Sequence, residues 1–366
     1  MMALPVDYRR RGQAVWLDSI SDRMIQDGRL AGAIASGTIY GVTSNPTIFG
    51  LAIERNEGDY NERLALLARE GKDAFAIYDE LTRRDIAAGA DLFRAQHDAR
   101  AEDGWISLEV LPSLAADTVG TVAEAKRLHA LLGRPNVLIK VPATAEGIPA
   151  VRSLIAAGIS VNVTLMFNRR HYREVALAYV AGLEGRLAAG GDLSAVQSVA
   201  SFFVSRVDTT VDGLLEKQGL ASLAGKAGLA NCRVVYQDFL EIFGSGRFKA
   251  LAERGARVQR PLWASTGTKN PAYSDLLYVE DLVGPDTVNT MPEKTLAALL
   301  DHGRDLGDSV LSGVPEARAH LEALRGHGID VEAIGEALQD DGVAAFAKSY
   351  DQLLASIESR RAAAAR

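Results

Sequence analysis

The chain has 366 residues, 48% of them hydrophobic and 24% charged, with a formal net charge of −7. That is ordinary globular composition, with enough apolar material for a large core and no basic footprint for binding nucleic acid. Its single cysteine, Cys232, excludes an intrachain disulfide and a cysteine-built metal cage, and reads as a small core residue.

The first residues lack the apolar stretch of a secretory leader, and no run approaches membrane-spanning length, so a cytoplasmic location without membrane contact is expected. Arg9, Arg10 and Arg11 form too short a basic run for nucleic acid and read as a solvated, frayed terminus. Eight β-rich runs then follow, at 14–18, 38–43, 105–110, 137–141, 159–165, 198–203, 261–265 and 277–282. Helical periodicity fills most gaps. The helices at 121–132 and 171–188 end at Gly133 with Pro135 and at Gly190 with Gly191. Strands alternating with helices argue for a parallel sheet with crossover helices. Eight of them, without a GxGxxG turn after the first, point to a closed barrel. The expected fold is therefore α/β, a (β/α)8 TIM barrel in a single domain over 1–366. Extra helices are expected in a mostly helical excursion at 47–104, including 59–70 and 73–88. The segment 342–366 reads as a C-terminal helix fading into an alanine-rich tail.

The fifth run alternates strictly, with Ser160, Asn162 and Thr164 on one face and Val161, Val163 and Leu165 on the other. In a barrel strand one parity meets the helices and the other the interior, so the polar set is expected inside. Asp18, Thr43 with Asn45, Ser107 with Glu109, Lys140 and Ser201 hold similar places near the ends of other strands. Polar groups converging there are expected of a catalytic mouth.

Lys140 lies in Val-Leu-Ile-Lys-Val-Pro-Ala-Thr at 137–144, an amine among apolar neighbours. Burial disfavours an ammonium, so a buried lysine supplies a neutral amine for attack on a ketone; the alternative is a lysine snorkelling out at the strand end. Asp18 and Glu109 each close an apolar run and are candidate acid–base partners, or else ion-pair partners of Lys140 or an arginine. Arg206 stands where a helix follows the sixth strand, suited to phosphate or to a surface salt bridge. Ser265, Thr266, Gly267, Thr268 and Lys269 form a second plausible phosphate clasp after the seventh. No two of the six histidines have metal-helix spacing, and no catalytic metal or other cofactor is expected.

Six motifs in strand order carry a resemblance: Trp-Leu-Asp-Ser-Ile at 16–20, Gly-Val-Thr-Ser-Asn-Pro-Thr-Ile-Phe at 41–49, Ser-Leu-Glu-Val at 107–110, Leu-Ile-Lys-Val-Pro-Ala-Thr at 138–144, Val-Asn-Val-Thr-Leu-Met-Phe at 161–167 and Ala-Ser-Phe-Phe-Val-Ser-Arg-Val-Asp at 200–208. Together they resemble the transaldolase family, from about Val15 to the C-terminal helix. The resemblance implies a Schiff-base lysine at Lys140, a cleavage base at Asp18, and a proton relay of Glu109, Thr164 and a water. It further implies that Asn45 and Asn162, with Ser201 close by, hold the hydroxyls of a three-carbon unit and that Arg206 binds phosphate. Many relatives carry a second phosphate arginine after the seventh strand, where this chain has Ser265, Thr266 and Lys269. The implied reaction moves dihydroxyacetone from sedoheptulose 7-phosphate to glyceraldehyde 3-phosphate, giving erythrose 4-phosphate and fructose 6-phosphate. Sugar phosphates are thus the expected partners, in a monomer or a homodimer. The rivals are a Schiff-base aldolase that releases its three-carbon product and a hydrolase using Asp18 and Glu109 with Lys140 structural.

Overall fold

In the computed structural model, which describes residues 6–364, eight parallel strands close into a barrel in the order β1 to β8. They are β1 (Gln13–Leu17), β2 (Gly41–Val42), β3 (Trp105–Glu109), β4 (Val137–Pro142), β5 (Val161–Met166), β6 (Ser198–Phe203), β7 (Arg260–Ala264) and β8 (Thr287–Met291). The two parities of each strand feed two cores. Val15, Leu17, Ile106, Ile139, Val161 and Val163 pack outward with the helices, while Ala14, Trp16, Leu138, Val199, Leu262 and Val288 fill the interior. Apolar side chains thus form the barrel's floor, and polar ones of the same parity are left for its C-terminal end.

Four expectations need correction. The run at 277–282 is not the eighth strand: Leu277–Glu280 is a short helix, and β8 lies further on, paired with β1 along its whole length. Leu276, Val279 and Leu282 are buried at helical spacing, whereas β8 carries polar Thr287 and Asn289 on its outer face. Those two donate to carbonyls of the preceding turn and helix, Thr287 Oγ1 to Gly284 O and Asn289 Nδ2 to Tyr278 O, which lets a strand without an apolar outer face be buried.

The C-terminal helix begins eleven positions before 342, running Val331–Ala364, so only residues 365–366 of the expected tail lie outside the described part. Gly335 and Gly342 are points of close approach. A Cβ at Gly335 would stand 2.6 Å from Asn168 Cβ, and one at Gly342 3.0 Å from Leu165 Cδ2.

The arginine triplet is not frayed. It forms a 3-10 turn, Tyr8–Arg11, in which Arg9 reaches Asp103 at 2.6 Å and Arg11 reaches Asp305 at 3.0 Å. Of the first residues, read as lacking a leader's apolar stretch, 1–5 lie outside the described residues.

Leu165, finally, does not face outward. Between Val163 and Met166 the register with β6 shifts by one residue, and Leu165 takes a left-handed φ of 61°. Parity reverses across this bulge, so that Leu165 and Phe167 join the inner core and Met166 the outer.

The excursion after β2 contains three helices, Pro46–Glu54, Tyr60–Arg69 and Ala74–Ala99, the last being the crossover to β3. Asn45 and Asp73 cap the first and third by accepting from Ile48 N and Ala76 N. All three helices pack on the C-terminal helix. The second and third meet the short helix Asp22–Gln26 after β1 around a buried polar knot, where the Tyr60 hydroxyl donates to Asp85 Oδ2 and accepts from Asp22 N. Burial pushes Asp85 up from 3.8 to about 7. Between those values the folded protein holds a proton that the unfolded chain has lost, so stability falls as pH rises through the window, by on the order of 4 kcal/mol in all. Asp85→Asn keeps an acceptor for Tyr60 and removes the charge. Urea melts should show it stabilised at pH 8 and much less so at pH 5; equal gains at both would contradict the account.

Candidate active site

The inward parity of neighbouring strands sets three polar residues side by side at the barrel mouth: Glu109 pairs with Lys140 in register, and Lys140 with Asn162. Lys140 is 4% exposed. Its Nζ lies 3.3 Å from Glu109 Oε2, donates to Ser44 O at 3.2 Å and sits 5.6 Å from the Phe346 ring centroid. Glu109 Oε2 nonetheless receives no well-aligned hydrogen bond among the described residues, so proximity of charge holds the pair. Burial pushes the Glu109 carboxyl up and Lys140 pulls it back, with Asp18 adding a smaller upward push.

Asp18 follows β1 directly, its N–H extending the ladder to Met291 O at 2.8 Å. The side chain lies deep in the mouth with one edge open to the cavity. Thr43 Oγ1 donates to Asp18 Oδ1 at 2.6 Å, and with its only hydroxyl proton so used it accepts from Thr290 Oγ1 at 2.7 Å. Burial pushes Asp18 above the usual carboxylate range, against the pull of Lys140 and then of Thr43. One amine thus faces two carboxyls that burial pushes up and that it pulls back down. Such a set exchanges protons readily.

Beneath them the Asn162 amide joins three strands, donating to Ser107 Oγ at 3.0 Å and accepting from Ser201 Oγ at 2.7 Å. Thr164 Oγ1, on the same strand, is fully buried and has no partner among the described residues. Asn45 spends its Oδ1 on the helix cap and leaves its amide N–H groups for other use.

The far side of the mouth is cationic. Arg206 opens the helix Ser205–Lys217, and its guanidinium lies 5.4 Å from the Phe203 ring centroid. It forms no salt bridge or hydrogen bond among the described residues, and burial pushes its pKa down with only a more distant pull from Asp341. The surface salt bridge is therefore excluded. Beside it Ser265 takes a φ of 57° and meets the Ser205 hydroxyl at 2.9 Å, stitching the loops after β6 and β7 together. Lys269 is exposed at the rim.

One cavity of about 140 Å³ is lined by Asp18, Asn45, Lys140, Thr164, Ser201, Arg206, Ser265 and Lys269. Asn162 and Glu109 are not in its wall. Asn162 lies below, and Glu109 borders a small recess beside Phe346 and Val343. The cavity also holds Thr290 and Phe346, which sequence reasoning did not single out: the first sits on the misplaced strand, the second on a helix without a distinctive motif. A larger groove of about 450 Å³ is lined by arginines, but Arg169 and Arg173 already bind Asp238, and Arg325 binds Glu322.

Comparison with known proteins points the same way. The family model described as transaldolase/fructose-6-phosphate aldolase matches residues 15–357. Transaldolase 1 of Streptomyces coelicolor is 50% identical over 351 residues, 95% of this chain and 92% of that protein. The transaldolase of Thermobifida fusca is 50% identical over 357 residues, 96% of each chain. That of Mycolicibacterium smegmatis is 46% identical over 357 residues, again 96% of each.

Proposed function

Because the chain belongs to the transaldolase/fructose-6-phosphate aldolase family, we propose that Lys140 is the nucleophile with which it performs transaldolase chemistry. The activity is that of its relatives: transfer of a dihydroxyacetone unit between sugar phosphates in the pentose phosphate pathway. A cytoplasmic location accompanies that role, since the substrates are there. The observation that carries the assignment is the buried Lys140 beside Glu109, with Asp18 facing the same cavity.

Moving a proton from Nζ to Glu109 removes two buried charges at once, and the neutral amine attacks the substrate ketone. Loss of water gives the iminium. Glu109 Oε2, held to Lys140 by charge alone, and Thr164 Oγ1, without a partner among the described residues, suit a water that relays protons in that step and in its reversal. Asp18 then takes the hydroxyl proton as the carbon–carbon bond breaks, the bonding pair passes into the iminium, and the aldehyde leaves an enamine on Lys140. A new aldehyde accepts that carbon, and hydrolysis releases the product. Asn45 and Ser201 hold the hydroxyls of the retained unit; Asn162, its amide already bridging two serines, supports the site from below.

Borohydride reduction in the presence of fructose 6-phosphate tests the assignment. A stable adduct on the peptide bearing Lys140 is expected. No adduct, or one on another lysine, would overturn it and favour the two carboxyls as a hydrolytic pair. Accumulation of free dihydroxyacetone without an acceptor aldehyde would mark a product-releasing aldolase instead.

Arg206, with no salt bridge among the described residues, is assigned the substrate phosphate, with Ser265 and the exposed Lys269 in support. Arg206→Ala should raise KM for fructose 6-phosphate about 30-fold with little change in kcat, a loss typical of a charge-assisted hydrogen bond. Turnover of unphosphorylated fructose should be unaffected; an equal loss on both sugars would remove phosphate binding from Arg206.

A further inference from the structure

The C-terminal helix presents Gln339, Gly342 and Phe346 to the barrel on one face. Gln339 is 8% exposed, and its Nε2 donates to two carbonyls, Ala143 O and Leu165 O, each at 2.9 Å. Ala143 stands three residues beyond Lys140, and Leu165 directly follows Thr164. One amide therefore ties together the ends of β4 and β5.

Leu165 is where such a tie matters. It sits at the register shift of β5 with a φ of 61°, a conformation that costs a leucine and persists only where its surroundings impose it. Gly342 lets the Leu165 side chain lie against the helix, and Gln339 holds its carbonyl. Among the described residues Thr164 Oγ1 has no hydrogen bond to aim it. Its direction is set by the backbone, and that backbone is held from Leu165.

We propose that Gln339 is a positioning residue for the imine-forming proton relay, holding Leu165 in its left-handed conformation so that Thr164 faces the Lys140–Glu109 pair. The proposal rests on the reading of Lys140 and Thr164 given above. It assigns the C-terminal helix a part in imine formation and hydrolysis, and none in carbon–carbon cleavage, which Asp18 serves from β1.

A double-mutant cycle tests it. Gln339→Leu should slow imine formation, read by rapid quench with borohydride and fructose 6-phosphate, about 30-fold, with KM within about threefold, the scale expected of a relay displaced by an ångström or less. In a Thr164→Val background the same substitution should cost less than about threefold, because the group being aimed is gone. Should Gln339→Leu prove unstable on melting, Gln339→Asn, which keeps the amide but is one methylene too short to hold both carbonyls, enters the same cycle. Multiplicative losses over a slow Thr164→Val would overturn the positioning role alone. A Thr164→Val variant as fast as the parent would overturn the relay itself, and the positioning role with it.

Discussion

Lys140→Ala is expected to lose transfer activity by about four orders of magnitude or more while the protein stays folded, because the other amine lining the cavity, Lys269, is exposed at its rim and has no carboxyl paired with it among the described residues. Removal of an ammonium from a buried pair usually destabilises by stranding the partner charge. Here the partner is Glu109, already pushed up by burial and freed by the substitution from the pull that lowers it. It is expected to take a proton and remain as a neutral carboxylic acid. Thermal melts near neutral pH should therefore shift by only a few degrees, on the order of 1 kcal/mol for a domain of this size. Borohydride should leave no sugar on the variant. Retained activity would remove the covalent mechanism, and a collapsed fold would show that Glu109 keeps its charge when Lys140 is gone.

What the sequence revealed of this site, and what it hid, follows from the range of the interactions involved. β3 to β5 announce themselves because each has an apolar outer parity, as β6 does after Ser198, and on these strands the inward placement of Glu109, Lys140, Asn162 and Ser201 is a matter of counting by two. Counting fails at Leu165, where one extra residue reverses the parity and nothing local marks the bulge. It fails again at β8, whose outer Thr287 and Asn289 place their donors on carbonyls of the preceding turn and helix. Thr290, which donates to Thr43 beneath Asp18, was lost along with that strand. Parity correctly turned Asn162 inward but could not reveal that Ser107 and Ser201 occupy its amide. Gln339 and Phe346 lie furthest from any local rule. Gln339 meets Ala143 across 196 positions of chain, and neither residue differs in pattern from others on a long amphipathic helix.

Asp18→Asn separates the two halves of the chemistry. The amide keeps an acceptor for Thr43 Oγ1 and fits the same space but cannot take a proton, so cleavage and transfer should fall about a thousandfold, the usual scale for a lost general base. Imine formation depends on Lys140, Glu109 and Thr164 and should survive. The trapped species tells the cases apart. From fructose 6-phosphate the parent enzyme should yield a reduced three-carbon unit on Lys140, whereas the variant should yield the whole phosphorylated sugar, its carbon–carbon bond intact. Loss of all trapping would move Asp18 into the imine step. The same base sets the acid limb of the pH profile. Asp18 acts when ionised, and burial holds its pKa above the usual carboxylate range, so transfer should fade at a higher pH than an exposed aspartate would give. Thr43→Val removes a hydrogen bond that favours the ionised form and should move that limb higher still, leaving the rate at alkaline pH close to the parent's. A limb that moved down, or stayed where it was, would mean that another group governs it.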